Sequence, residues 1–156
     1  MTDFVERESG NPSTYLDMVA GRTRFEVEHI WADKPDRHID EFSHPTDFGE
    51  FRNRVGGLLL LRKSFNASYG DLRYEEKLPH YYGQNLLARS LSPQAYERNP
   101  GFVNFIERTG LPFHPHTEFK KADLEERGQL YRQLAEIIWN PEDLLVGAAA
   151  EPSLAA

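Results

Sequence analysis

Gly56-Gly57-Leu58-Leu59-Leu60-Leu61-Arg62-Lys63-Ser64-Phe65-Asn66 is the stretch on which the fold turns. It reads as a Gly-Gly turn, then a short apolar strand bounded by Arg62-Lys63, then a helix or turn opening at Ser64. Upstream, Phe25-Glu26-Val27-Glu28-His29-Ile30-Trp31 alternates apolar and charged residues as a half-buried strand does. Two strands followed by a helix make a small strand–turn–strand–helix unit. Between the runs, Asp33 to Gly49 is polar and carries Pro35 and Pro45, so it is expected to be a long loop.

Working outward, Ser13 is placed to cap a short helix through Val19, ended by Gly21. Leu72 to Leu78 and Gln84 to Ser90 have helical patterns, and Ser92-Pro93 is a favourable helix start. Pro100 to Thr109 predicts a helix closed by Gly110, and Leu111 to Phe119 is a Pro/His-rich connector. The strongest helix runs from about Ala122 to Trp139, with Leu124, Leu130, Leu134, Ile137 and Ile138 on its apolar side and Pro141 beyond it. The expected class is α+β. Residues 1–24 form a helical lead-in and 25–140 the domain proper, its strand unit at about 25–77 and its helical part at 78–140. Residues 141–156 form a disordered tail. Both ends look cut, as for a C-terminal domain of a larger chain.

Composition removes several classes of chemistry. Without cysteine there is no disulfide, no thiolate zinc site and no cysteine nucleophile. No apolar run approaches the roughly 18 residues of a membrane span, and the acidic start is not a signal peptide, so a cytoplasmic protein without a membrane partner is expected. The net charge of −7 weighs against nucleic acid. Against that, Phe51 to Ser64 holds Arg52, Arg54, Arg62 and Lys63 with no acid among them. That cluster is either a solvated face or a phosphate-facing one.

A carboxylate (Glu28), an imidazole (His29) and a side-chain amide (Asn66) are the parts of a hydrolytic site for phosphodiesters. Hard oxygen donors hold a divalent ion, and a neutral histidine takes a proton from water. Strict alternation opposes this. It puts Phe25, Val27 and His29 on one face and Glu26 and Glu28 on the other, making His29 a core residue and Glu28 a solvated one. The catalytic reading needs the strand to twist or end at this point. His38 and His44 lie in the polar loop without an i+4 partner, and His114-Pro115-His116 reads as an exposed connector lacking nearby carboxylates. Asp36-Arg37-His38-Ile39-Asp40 has no serine elbow. Gly56-Gly57 is followed by leucines rather than Lys-Ser/Thr, which excludes a phosphate-cradling loop.

With these residues the chain resembles the C-terminal nuclease domain of GmrSD-type modification-dependent restriction proteins, an HNH (His-Me finger) family. The matching motifs are Glu28-His29-Ile30, Asn53-Arg54-Val55-Gly56-Gly57-Leu58-Leu59-Leu60-Leu61, Asn66, Lys77, and a closing helix with Arg127 and Ile138-Trp139. The resemblance implies a ββα-metal finger embedded in helices. It also implies a DNA endonuclease, most simply a nicking one, acting in restriction or phage defence. His29 would activate water, Glu28 and Asn66 would bind one Mg²⁺ or Mn²⁺, and Arg54, Arg62, Lys63 and Lys77 would lie near phosphates of double-stranded DNA. An N-terminal sensor/NTPase domain of the same full-length protein would be its partner. Related members act in phosphorothioate-linked defence, the SspE type. Gly57 stands where the family has a middle Asn that braces the histidine loop, and Asn53 is the candidate to take over that bracing. Trp31-Ala32 replaces a proline common after the His-Ile pair. The alternative is a decayed module that binds DNA or a partner domain without chemistry.

Overall fold

β1 (Phe25–His29) and β2 (Leu58–Arg62) pair antiparallel, with Val27 opposite Leu60 and His29 opposite Leu58. The structure is a computed structural model that describes residues 1–15 and 24–142; inside one helix, Asn66 and Ala67 are described by their backbone alone. The expected helix after Ser13 and the tail therefore fall largely outside the described residues. Around the two-stranded sheet lie α1 (Thr2–Glu8), α2 (Pro45–Arg52), α3 (Lys63–Tyr69), α4 (Tyr74–Tyr81), α5 (Leu86–Arg89), α6 (Pro100–Thr109) and α7 (Lys121–Ile138). The class is α+β.

β1 ends at His29, two residues short of the expected strand. Ile30 donates its N–H to the Gly57 carbonyl at 2.9 Å, and the chain then bends so that Ile30 and Trp31 both enter the core. Trp31 stacks on Phe48, meets Phe42 edge-on, and donates Nε1 to the Phe119 carbonyl at 2.8 Å. A large aromatic thus anchors the bend after His29. β2 alternates rather than being wholly buried: Leu59 and Leu61 face inward, and Leu60 faces out beside Val27.

The long polar loop is half helical. A 3-10 turn at Pro35–His38 and then α2 occupy it, because His44 accepts the Thr46 N–H at Nδ1 and Pro45 fits the first helical position. His38 lies against the Trp31 ring, 4.5 Å between centroids, so its part here is packing. The residues before Phe25 also have a place in the core. Val5 of α1 is fully buried, and the Glu6 carboxylate accepts the N–H of Leu86 and the N–H and hydroxyl of Thr14. Two apolar clusters result, one around the sheet, α2 and α4, the other joining α1, α5, α6 and the second half of α7.

A 3-10 turn at Val55–Gly57 presses directly on α7. A Cβ on Gly56 would stand 2.0 Å from the Leu124 carbonyl oxygen and 2.6 Å from the Gly128 nitrogen. Both are backbone atoms of a helix and cannot step aside. Gly56→Ala is expected to lower stability by about 1–3 kcal/mol or more, measured by urea unfolding; an unchanged midpoint would show that the turn can lift off α7 at no cost.

Candidate functional site

The two neighbouring side chains at the end of β1 leave the strand on opposite faces, as alternation requires, but with the occupancy reversed from the expectation. Glu28 is the buried residue, 1% exposed, and His29 lies on the outer side, half-buried. The reversal follows from the next two residues. Ile30 and Trp31 turn into the core, and the sheet packs its Glu28–Leu59 face against α3 and α4, leaving Val27, His29 and Leu60 outside.

On the outer side His29 Nε2 lies 2.9 Å from Asn53 Oδ1. Asn53 Nδ2 donates to the Gly49 carbonyl at 2.9 Å, which fixes the amide so that its oxygen faces the ring. An amide oxygen can only accept, so His29 carries its proton on Nε2 and has its lone pair on Nδ1. Asn53, at the C-cap of α2, thereby holds the ring in this orientation. Gly57 contributes through its backbone, its carbonyl holding Ile30 N while its α-carbon fits against Leu124 and the Arg52 carbonyl. Burial lowers the His29 pKa below its ordinary 6.5; the Asn53 bond opposes this, Arg52 adds to it, and Glu28 opposes it. The shift favours the neutral ring.

On the inner side Glu28 Oε1 accepts from Lys77 Nζ at 2.6 Å and from the Tyr81 hydroxyl at 3.2 Å. The same ammonium donates to the carbonyl of His29 at 2.9 Å and reaches that of Ile30 at 3.4 Å. Lys77 has no exposed surface, so the expectation that it meets phosphate is corrected. It is the buried counter-ion of Glu28 and ties down the backbone on both sides of the His29 peptide. Burial lowers the Lys77 pKa, and burial with the nearby carboxylate pushes that of Tyr81 well above its ordinary value. No sequence pattern links residues this far apart; the one hint was a lysine and a tyrosine four apart on one helix.

The other cations are exposed but engaged. Arg54 lies over the Phe51 ring and 3.8 Å from Glu125, and Lys63 is 2.9 Å from Glu26. Exposed pairs of this kind are worth little. Arg52 points inward to the Trp31 carbonyl at 3.0 Å. Asn66 lies in α3, directly after β2, and its side chain is outside the described atoms.

As a divalent-ion site the described donors fit in part. Glu28 Oε1 is taken by an ammonium and a hydroxyl, and the side chain is buried on the face opposite His29, so the structure does not bring this carboxylate and the imidazole into one pocket. Magnesium is commonly held by one or two protein oxygens with water and substrate phosphate completing the shell, and such a donor set suits it.

Among the described residues no helix is long and apolar enough to cross a membrane. Comparison with curated proteins and with solved structures finds no match. A family model does match, that of the GmrSD restriction endonucleases, C-terminal domain, and it covers residues 4–134, from α1 almost to the end of α7. The chain belongs to the GmrSD restriction endonuclease C-terminal domain family.

Proposed function

We propose that this domain is a divalent-metal-dependent DNA endonuclease of the HNH type, nicking double-stranded DNA in restriction or phage defence in the cytoplasm. It would act beside an N-terminal sensor/NTPase domain of the same full-length protein. The observation that carries the reading is the His29–Asn53 hydrogen bond, which leaves a neutral imidazole with its Nδ1 lone pair on the outer face. His29 Nδ1 takes a proton from the water whose oxygen attacks phosphorus, the P–O bond to the leaving oxygen breaks, and that oxygen takes up a proton from solvent. Asn53 holds the ring's tautomer and direction. Glu28, through Oε2, and Asn66 would hold one Mg²⁺ or Mn²⁺, which when bound stabilises charge on the phosphate and on the leaving oxygen. Arg54, Arg62 and Lys63 would meet the DNA backbone, so the sequence of bases would matter little.

Supercoiled plasmid incubated with Mg²⁺ or Mn²⁺ should pass to the open circular form, stop doing so in EDTA, and do so roughly 10²-fold more slowly with Asn66→Ala. Nicking that is indifferent to EDTA and to Asn66 would sink the metal assignment. One observation favours the alternative of a decayed DNA-binding or domain-interaction module: Glu28 is already neutralised by Lys77. Under that alternative the plasmid stays supercoiled with either ion.

A further inference from the structure

We propose that His114, His116 and Glu126 form a second, nitrogen-rich metal site that takes a borderline transition ion, Zn²⁺ in the first place. The connector supplies two histidines and the first half of α7 supplies the carboxylates that the sequence did not place nearby. One ligand atom from each of the three residues lies within 4.8 Å of the other two. His114 Nε2 and Glu126 Oε2 are already 3.1 Å apart. Zn–N bonds of about 2.0–2.1 Å put ligand atoms roughly 3.4 Å apart across a tetrahedral edge, so small rotations of two exposed side chains close the set.

The surroundings are those of a prepared site. His116 is 4% exposed, and its Nδ1 lies 2.8 Å from Asp123 Oδ1. Asp123 is itself held, because its other oxygen accepts the Lys120 N–H at 2.7 Å. The His116 backbone is fixed at both ends, its N–H to the Leu91 carbonyl and its carbonyl to the Tyr74 hydroxyl. His114 Nδ1 lies 3.3 Å from the Pro112 carbonyl. In both rings Nδ1 thus faces an oxygen acceptor, which leaves Nε2 as the nitrogen to offer an ion, at His114 the one already directed at Glu126. Carboxylate and carbonyl partners behind metal-binding histidines set the tautomer and aim the ring in this way. Asp123 and Glu126 are three apart on α7, so one helical face supplies both the orienting and the ligating carboxylate.

Two imidazoles and a carboxylate favour zinc-like ions over Mg²⁺ or Ca²⁺, which seek oxygen shells. Three protein ligands leave a fourth position for water or a carboxylate from elsewhere. The set shares no residue with the His29 group, so it stands whether or not that group cuts DNA. An ion here would pin the connector to α7.

The test uses the untagged chain, apo after dialysis against chelator, titrated with Co²⁺ and Zn²⁺ alone. One equivalent of Co²⁺ should give the visible d–d bands of a low-coordinate site, Zn²⁺ should displace it, and excess Mg²⁺ should not. His114→Ala and Glu126→Gln, both at exposed side chains, should abolish the bands while folding normally, and Asp123→Asn should weaken binding about 10–100-fold. His29→Ala should bind as wild type does. Absence of stoichiometric binding, or equal binding by His114→Ala and Glu126→Gln, overturns the site.

Discussion

His29→Ala is expected to slow metal-dependent plasmid nicking by about 10²–10⁴-fold, the contribution of a positioned general base, while the unfolding midpoint stays close to that of wild type. The small structural effect follows from position: the ring lies on the outer face of β1, and its one described hydrogen bond is to a side chain at the surface. The wild-type pH profile sharpens the prediction. Protonation at Nδ1 removes the lone pair that accepts the proton from water, so the rate rises with pH through the pKa of His29. Burial, reinforced by Arg52, holds that pKa below 6.5 against the pull of Asn53 and Glu28. A bound divalent ion pushes in the same direction. The acid limb should therefore have its midpoint below that of an ordinary imidazole. A midpoint above 7, or a profile unchanged in His29→Ala, would remove His29 from the chemistry.

The second large effect is on stability. Lys77→Met is expected to destabilise the domain by about 3–5 kcal/mol, the cost of leaving a buried charge without its partner. Three described oxygens lose their shared donor: Glu28 Oε1 and the carbonyls of His29 and Ile30. The Tyr81 hydroxyl stays, a single neutral donor to a carboxylate in an apolar cluster. Lys77→Met with Glu28→Gln should recover much of the loss, since the buried charge is then gone. Urea unfolding of the two single variants and the double one decides this. A loss under about 1 kcal/mol for Lys77→Met, or a double variant no more stable than the single, would show that the pair is not coupled.

The elements set by local chemistry were readable from the chain. Pro100–Thr109 carries its own start and stop, Asn99 accepting the Phe102 N–H and Gly110 taking the left-handed turn at φ 66°, and α7 advertises itself by apolar spacing. The two strands came from their alternation and apolar run. Long-range partners were illegible. Nothing in Glu28 announces a lysine 49 residues away, and nothing in His116 announces Asp123 and Glu126 on the next helix. The face assignment at β1 failed because it assumed a strand continuing through Trp31, whereas the bend after His29 decides which side faces the core. α2 was hidden inside a loop of prolines and polar residues although His44-Pro45 marks its start. Asn53 lies 24 residues from His29 in sequence, and no local pattern marks the contact of its amide, oriented by Gly49, with the ring.

The contact of Gly56 with α7 has a mechanical consequence. Where side chains mediate packing, rotamers absorb small displacements; at Gly56 the joint is main chain against main chain, with no methyl group between. One residue on, the Gly57 carbonyl grips Ile30, the residue after His29. Any tilt of the longest helix is therefore passed without slack to the peptide beside the imidazole. A neighbouring domain that leaned on α7 would have a stiff lever on the aim of His29, with a throw of a few atoms.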